Sequence, residues 1–246
     1  HNYFKIVLNF MVSAIVFSFN DHKYVKDCIS SLSFVNEVIV IGKIEQSVLS
    51  EIQCPFPVRY IESEFTGFHQ LTKEAIKNVS YKWIVAIEAN HCISKQLSQE
   101  IIKIVSDEKS SGIYNVKTRF NFMGKSMQYS GYRTSSSPLL WQLTVNDKTT
   151  PSKALKNLID EIYLDFDSYN GRLTEKAKQR ARELFINQKR PFFLYFFLKP
   201  FCKLIINYVF KLGFLDGKEG FVFAYIKAFE EFKTYLFLWL MYRNLE

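Results

Sequence analysis

The sequence has no run of about 20 uncharged apolar residues, the length an α-helix needs to cross a bilayer, so nothing in it reads as a membrane span. Its four cysteines, Cys28, Cys54, Cys92 and Cys202, are widely scattered, with no CxxC pair and no histidine at ligand spacing. That excludes a zinc ribbon and offers no disulfide framework, and the four read as reduced cytoplasmic thiols. No GxGxxG and no P-loop is present, so the usual dinucleotide and nucleoside-triphosphate cradles are missing. Residues 1–10, HNYFKIVLNF, are too short for a signal peptide and lack a small-residue cleavage site. With Met11 standing directly before VSAIVFSFND, residues 1–11 are expected to be either a leader ahead of the domain or an ordinary leading strand or helix.

What is present is organised around WIVAIEANHCI, residues 83–93. The apolar run Trp83–Ile87 predicts a buried central strand, and it ends abruptly in Glu88, Ala89, Asn90 and His91. Polar groups at the carboxyl end of such a strand are where open α/β sheets bind ligands. Three more strands are predicted at Val12–Phe19, Glu37–Ile41 and Pro57–Ile61, with helical segments after the first and over about Gln70–Asn78. Strand and helix alternate without hairpin signals, which predicts an α/β fold with a parallel sheet. Downstream, Gly112–Phe122 and Trp141–Val145 read as strands. Ala154–Ile162 reads as a short helix carrying Asp160 and Glu161, a pair able to supply a general base or simply to end a solvated helix.

The last third differs in composition. Arg172–Glu246 carries 14 Lys+Arg against 7 Asp+Glu, so it holds +7 of the chain's formal +8, and residues 192–242 hold 18 of the 41 aromatics. A basic helix is predicted over Arg172–Arg190, then a helical hairpin, Phe192–Gly213 and Glu219–Tyr242, with Asp216 and Glu219 as an N-capping signature. Lys199, Lys203 and Lys211 recur along one face among apolar side chains, and Trp239 stands in the second arm. That pattern predicts an in-plane contact with an anionic membrane surface, or else a packed lid. Nucleic acid is not expected as a partner, because these aromatics form no ordered stacking platform.

The order SAIVFSFND, then CISSLSFVNEVIVIG, then GFHQLTKEAIKNVSYKWIVAIEANHCIS resembles the nucleotide-sugar half of family 2 glycosyltransferases, which have the GT-A fold. The nearest branch is that of the lipopolysaccharide core enzymes that add glucose to heptose. Leu212-Gly-Phe-Leu-Asp-Gly217, with Gly220 and Ala228-Phe229, also looks like that branch's signature. The resemblance implies a GT-A-like (Rossmann-like) mostly parallel sheet over 12–165 and an amphipathic helical membrane-associating tail over 166–246. It implies a nucleotide-sugar donor, a lipid-linked glycan acceptor, Mg²⁺ or Mn²⁺, and a peripheral place at the inner face of the cytoplasmic membrane.

Carried over position by position, the donor site comprises Asn20, Asp21, Gly42, Lys73 and Glu88, with Glu88 and Asn90 as metal ligands. Gly42 stands where the family has a leading aspartate, and Leu71-Thr72-Lys73 fill its Gln-Lys-Asn slot. Glu88-Ala89-Asn90-His91 replace its D-A-D-E, which removes one formal charge from the metal-binding pair. The V-H-E element near the acceptor is absent. These departures leave a second expectation from another class: a pseudo-glycosyltransferase that serves as a scaffold or acceptor-binding partner.

Overall fold

The structure, a computed structural model, describes residues 11–19, 22–44, 48, 52–63, 68–131, 136–144, 151–163 and 166–245. Asn20 and Asp21 lie outside the described residues. Packing divides the chain into two compact units: one runs to Lys117 and includes Ser136–Ile159, the other is Thr118–Ser135 with Asp160–Glu246.

The first unit is the expected α/β structure. Strands β1 (Val12–Phe19), β2 (Glu37–Lys43), β3 (Val58–Glu62) and β4 (Trp83–Glu88) pair in parallel in the order β3-β2-β1-β4. Their near-continuous apolar runs follow from burial on both faces. Ile15, Phe17, Ile41, Ile84 and Ala86 pack with Leu71 and Ala75 of helix α2 (Phe68–Ile76). The alternate residues Ala14, Val16, Val38, Val40, Val85 and Ile87 pack with α1 (His22–Ser30) and α3 (Lys95–Ser106). Period-two alternation therefore separates the two cores.

Beyond β4 the described strands continue antiparallel through β8 (Ser136–Gln142) to β6 (Ile113–Phe122), then β9 (Ser152–Tyr163) and the short β5 (His91–Cys92). Pro138 sits where the β6–β8 register shifts, a place that tolerates a missing amide donor. The helix expected at Ala154–Ile162 is instead β9. Its buried residues Leu155, Ile159 and Tyr163 recur every four positions, a spacing that lies on one face of a helix and equally on one face of a strand. Its place in the sheet between β6 and β5 settles the strand, and Glu100 of α3 accepts hydrogen bonds from the Lys156 and Asn157 amides at 2.8 and 3.0 Å.

At the amino-terminal edge of the parallel strands, Glu37 is 3% exposed and accepts from Ser13 Oγ (2.6 Å), Ser80 N (2.6 Å) and Arg59 Nη2 (2.5 Å). Burial would raise its pKa. The hydrogen bonds from Ser13 and Ser80 and the Arg59 charge outweigh that and hold the carboxyl below its ordinary value.

In the second unit, the end of β6 pairs with β7 (Lys125–Ser126). Phe120, Phe122, Met127 and Tyr163 form an aromatic core with Tyr169 and Leu173 of α4 (Phe166–Ile186) and Phe223 of α6 (Gly217–Tyr242). Helix α5 (Tyr195–Ile205) runs through a π-turn, Ile206–Phe210, and a 3-10 turn, Gly213–Asp216, into α6. Among the described residues no helix is long and apolar enough to cross a membrane.

The signature around Asp216 proves to be a clasp rather than the predicted cap, for the Asp216 side chain makes no cap hydrogen bond. It accepts instead from Gln128 N (2.9 Å), Tyr129 N (3.0 Å) and Ser130 Oγ (3.3 Å), while Lys125 donates to the Asp216 carbonyl and to Glu219. A Cβ on Gly220 would stand 1.9 Å from the Gly213 carbonyl oxygen, so the two glycines let the turn close on the helix.

Candidate functional site

The register of the parallel strands brings the residues of interest in the first unit to one edge. Phe17 is level with Glu88, and Ser18 is level with Gly42, so the last residues of β1, β2 and β4 present a common carboxyl-terminal rim. Gly42 has φ +125°, and a Cβ there would lie 2.1 Å from the Ser18 carbonyl oxygen. Close strand approach therefore leaves no room for a side chain here, the aspartate that the resemblance would put at this position included. Its carbonyl accepts from Tyr60 Oη (2.9 Å) and Ser63 N (3.3 Å). Lys73 is exposed on α2.

The turn after β4 is held from several directions. Ala89 N donates to the Phe17 carbonyl (2.9 Å), Cys28 Sγ to the Glu88 carbonyl (3.8 Å), and Glu88 N to His91 Nδ1 (3.1 Å). Burial, then Cys92 and Asp27, push the Cys28 thiol well above its ordinary range, so it is an uncharged packing group and not a thiolate ligand. With Nδ1 accepting, a neutral His91 carries its proton on Nε2 and is a donor at its free end. By its chemistry His91 is no ligand for a hard cation, though it could meet a soft metal or a phosphate. Its part in fixing the turn was open to the spacing alone, since a side chain three residues on can reach back to a strand-end amide.

Beside this turn lies a cleft of about 310 Å³. Glu88, His91 and Ser137 are its polar groups, and Val116, Pro138, Leu139 and Ile159 line its walls. The β8 wall was not expected, because Ser-Ser-Pro reads as loop; the predicted strand began at Trp141, and the observed one begins five residues earlier at Ser136.

Among the described residues no three His, Cys, Asp or Glu side chains gather as a metal-holding group. The strand end offers one carboxylate, Glu88, and the amide of Asn90, which is 1% exposed with Oδ1 and Nδ2 both lacking a hydrogen-bond partner. Leaving a buried polar group unsatisfied costs about 1–3 kcal/mol, a cost that a partner reaching this amide would offset. Mg²⁺ is commonly held by one or two carboxylates, with substrate phosphates and waters completing the shell. The donor set here fits an ion that arrives with a diphosphate and does not fit an all-protein cage.

The remaining predicted residues belong to the second unit. Asp160 lies on β9, not on a helix, and both its oxygens accept from the Arg119 guanidinium at 2.5 and 2.7 Å, with Asn121 Nδ2 at 3.2 Å. Glu161 is half-buried and, as the next residue of a strand, faces the other way. Lys199 lies over the Tyr195 ring and Arg243 over Trp239. Lys211 lies against Gly131, and Lys203 is half-buried. Phe193, Phe197, Phe201 and Phe210 are 60–76% exposed, and most other exposed large apolar side chains also fall between Phe192 and Phe229.

No protein-family model matches the sequence. Among solved structures, the chain is similar to Staphylococcus aureus TarS 1-349, at 13% identity over 95% of this chain and 91% of that one, with a TM-score of 0.48. It is similar to the Pyrobaculum calidifontis mannosyltransferase PcManGT, solved with GDP-Man and Mn²⁺, at 11% identity, 93% and 87% coverage and a TM-score of 0.47. The Anaerococcus prevotii 4-diphosphocytidyl-2C-methyl-D-erythritol synthase matches at 12% identity, 63% and 91% coverage and a TM-score of 0.41. At such identities and TM-scores no residue role passes from these proteins to this chain.

Proposed function

We propose that this chain is a glycosyltransferase-like protein that transfers a hexose from a nucleotide-sugar donor to a lipid-linked envelope glycan, such as lipopolysaccharide core, at the cytoplasmic face of the membrane. The observation that carries the reading is the common carboxyl-terminal rim of adjacent parallel strands, with Ser18 level with Gly42 and Phe17 with Glu88, at the edge where open α/β sheets take ligands. Asn20, Asp21, Gly42 and Lys73 complete the donor site in this reading, and His91 offers its Nε2 proton to an oxygen of the bound group. Glu88 and Asn90 hold Mg²⁺ or Mn²⁺, which when bound neutralises charge on the leaving diphosphate. Within the second unit the Arg119 ion pair occupies both oxygens of Asp160, so of the two carboxylates Glu161 is the one left able to take up a proton. The exposed phenylalanines of the hairpin, bordered by Lys199, Lys203 and Lys211, support peripheral membrane contact.

A second reading is favoured by the single carboxylate at the strand end: a pseudo-glycosyltransferase that binds an acceptor or an active partner without donor chemistry. Calorimetric titration with a panel of sugar nucleotides, with and without Mn²⁺, separates the two. Micromolar, metal-dependent binding of one of them supports the transferase; absence of binding at millimolar concentration supports the pseudoenzyme.

A further inference from the structure

The cleft beside β4, formed wholly within the first unit, has a polar mouth and an apolar floor. Glu88 and His91 are half-buried and Ser137 is exposed, whereas Val116, Leu139 and Ile159 are only 1–2% exposed. An irregularity in β8 builds part of that floor. Neighbouring side chains of an even strand point to opposite faces, yet Ser137, Pro138 and Leu139 all line the cleft. The β6–β8 register steps from Tyr114 opposite Leu140 to Asn115 opposite Pro138, which leaves Leu139 as an extra residue and re-aims it to the cleft side. Val116 is level with Ser137, so an apolar wall and a hydroxyl-bearing residue stand about 5 Å apart across the two strands.

This arrangement selects against a sugar that is hydroxylated all round. A hydroxyl pressed on Val116, Leu139 and Ile159 gives up its water with no partner in return, and Pro138 has no amide hydrogen to offer it. The polar groups at the mouth are few and of defined sense. His91 Nδ1 already accepts from Glu88 N, so its ring presents Nε2–H as a donor, and the Ser137 hydroxyl can accept. An acetamido substituent carries the complement of all three features: a carbonyl oxygen for the His91 donor, an N–H for Ser137 and a methyl for the floor. At about 310 Å³ the cleft is at the small end of ligand pockets, which suits one sugar residue and not an oligosaccharide.

We infer that the cleft is specific for an N-acetylhexosamine, with His91 and Ser137 holding the amide and Val116, Leu139 and Ile159 enclosing its methyl group. The inference names the sugar for the donor site proposed above and rests on that reading in taking the occupant to be a sugar. Glu88 is left to the cation.

The test is saturation-transfer NMR titration of the full chain with free N-acetylglucosamine, N-acetylgalactosamine and N-acetylmannosamine, each against its parent hexose, so that no nucleotide has to be assumed. At least one of the three should bind about tenfold or more tightly than its parent, the discrimination an apolar pocket gives for a small group, and its acetyl methyl should receive the strongest saturation. Val116→Thr puts a hydroxyl into the floor, and His91→Asn keeps an acceptor for Glu88 N while removing the ring donor; each should shrink that preference severalfold. Lys189→Gln, exposed in the other unit, should change nothing. Separate calorimetry with uridine and guanosine diphosphates and Mn²⁺ keeps the two failures apart. Diphosphate binding without any acetamido preference retains the donor reading and overturns the inference; acetamido preference without diphosphate binding removes the donor reading and supports the cleft's specificity. Equal binding of every pair in wild type, which needs no variant to judge, or a preference undiminished in both Val116→Thr and His91→Asn, also overturns the inference.

Discussion

Gly42→Ala is the substitution that most sharply separates a lost ligand from a constrained backbone. At φ +125° an L-residue is strained by about 1–3 kcal/mol. The new methyl would also lie 2.1 Å from the Ser18 carbonyl oxygen, which belongs to backbone and cannot swing aside. Relieving it means parting β1 from β2 at the level where Ser18 faces Gly42, and overpacking of that kind costs roughly another 1–3 kcal/mol. The hydrogen bonds from Tyr60 and Ser63 to the Gly42 carbonyl would be disturbed as well. A loss of about 4 kcal/mol is a large share of a domain stability of about 5–15 kcal/mol. Equilibrium urea denaturation checks it, with the emission of the buried Trp83 as the signal from the neighbouring strand β4. Gly42→Asp should be worse than Gly42→Ala, since it adds a carboxylate to the same overlap. A loss below about 1 kcal/mol for the alanine, which is ordinary for a surface change, would refute the constraint and return Gly42 to the status of a decayed aspartate.

Three further outcomes are expected. Glu37 has a folded pKa below its unfolded value, so its contribution is present above the ordinary Glu pKa of about 4.3 and is lost as pH falls through the lower folded value; Glu37→Gln should cost about 1–3 kcal/mol at neutral pH and flatten the acid limb of a stability-versus-pH curve. Asp216→Ala should destabilise the second unit by about 3 kcal/mol by orphaning the Gln128 and Tyr129 amides, and Gly220→Ala should lower the melting temperature as well; a clasp that matters would show both in thermal melts, whereas unchanged melts would reject it. Replacing Lys199, Lys203 and Lys211 by Gln should weaken binding to anionic vesicles by about 1 kcal/mol per lysine, more at low salt than at high; full-length protein that ignores such vesicles at low salt would remove the membrane reading.

The parallel half of the sheet was legible because burial on both faces leaves near-continuous apolar strands, as in Val12–Phe19 and Trp83–Ile87. Its parallel pairing follows from the alternation with helices, whereas the order β3-β2-β1-β4 comes from the structure. What misled was spacing without context. Leu155, Ile159 and Tyr163 satisfy both periods, and only the partner strands decide between them. At the candidate site, sequence placed Glu88 at a strand end but had no means to show that Asn90 is buried without a partner. Asp216 was picked out by Glu219 three residues on, a local capping pattern, yet its role depends on Gln128 and Tyr129, far away in sequence.

In the proposed donor site, the rim formed by β1, β2 and β4 would bind a nucleoside diphosphate together with a divalent cation held by Glu88 and Asn90. Electron paramagnetic resonance of Mn²⁺ in the presence of the full chain tests it directly, read as loss of the free-ion signal upon adding a nucleoside diphosphate. Wild type should take up Mn²⁺ more strongly with the nucleotide than either component alone accounts for, Glu88→Ala should abolish that excess, and Asn90→Asp should strengthen it by supplying a charged ligand. An excess unchanged in both variants, or none in wild type, would contradict the account.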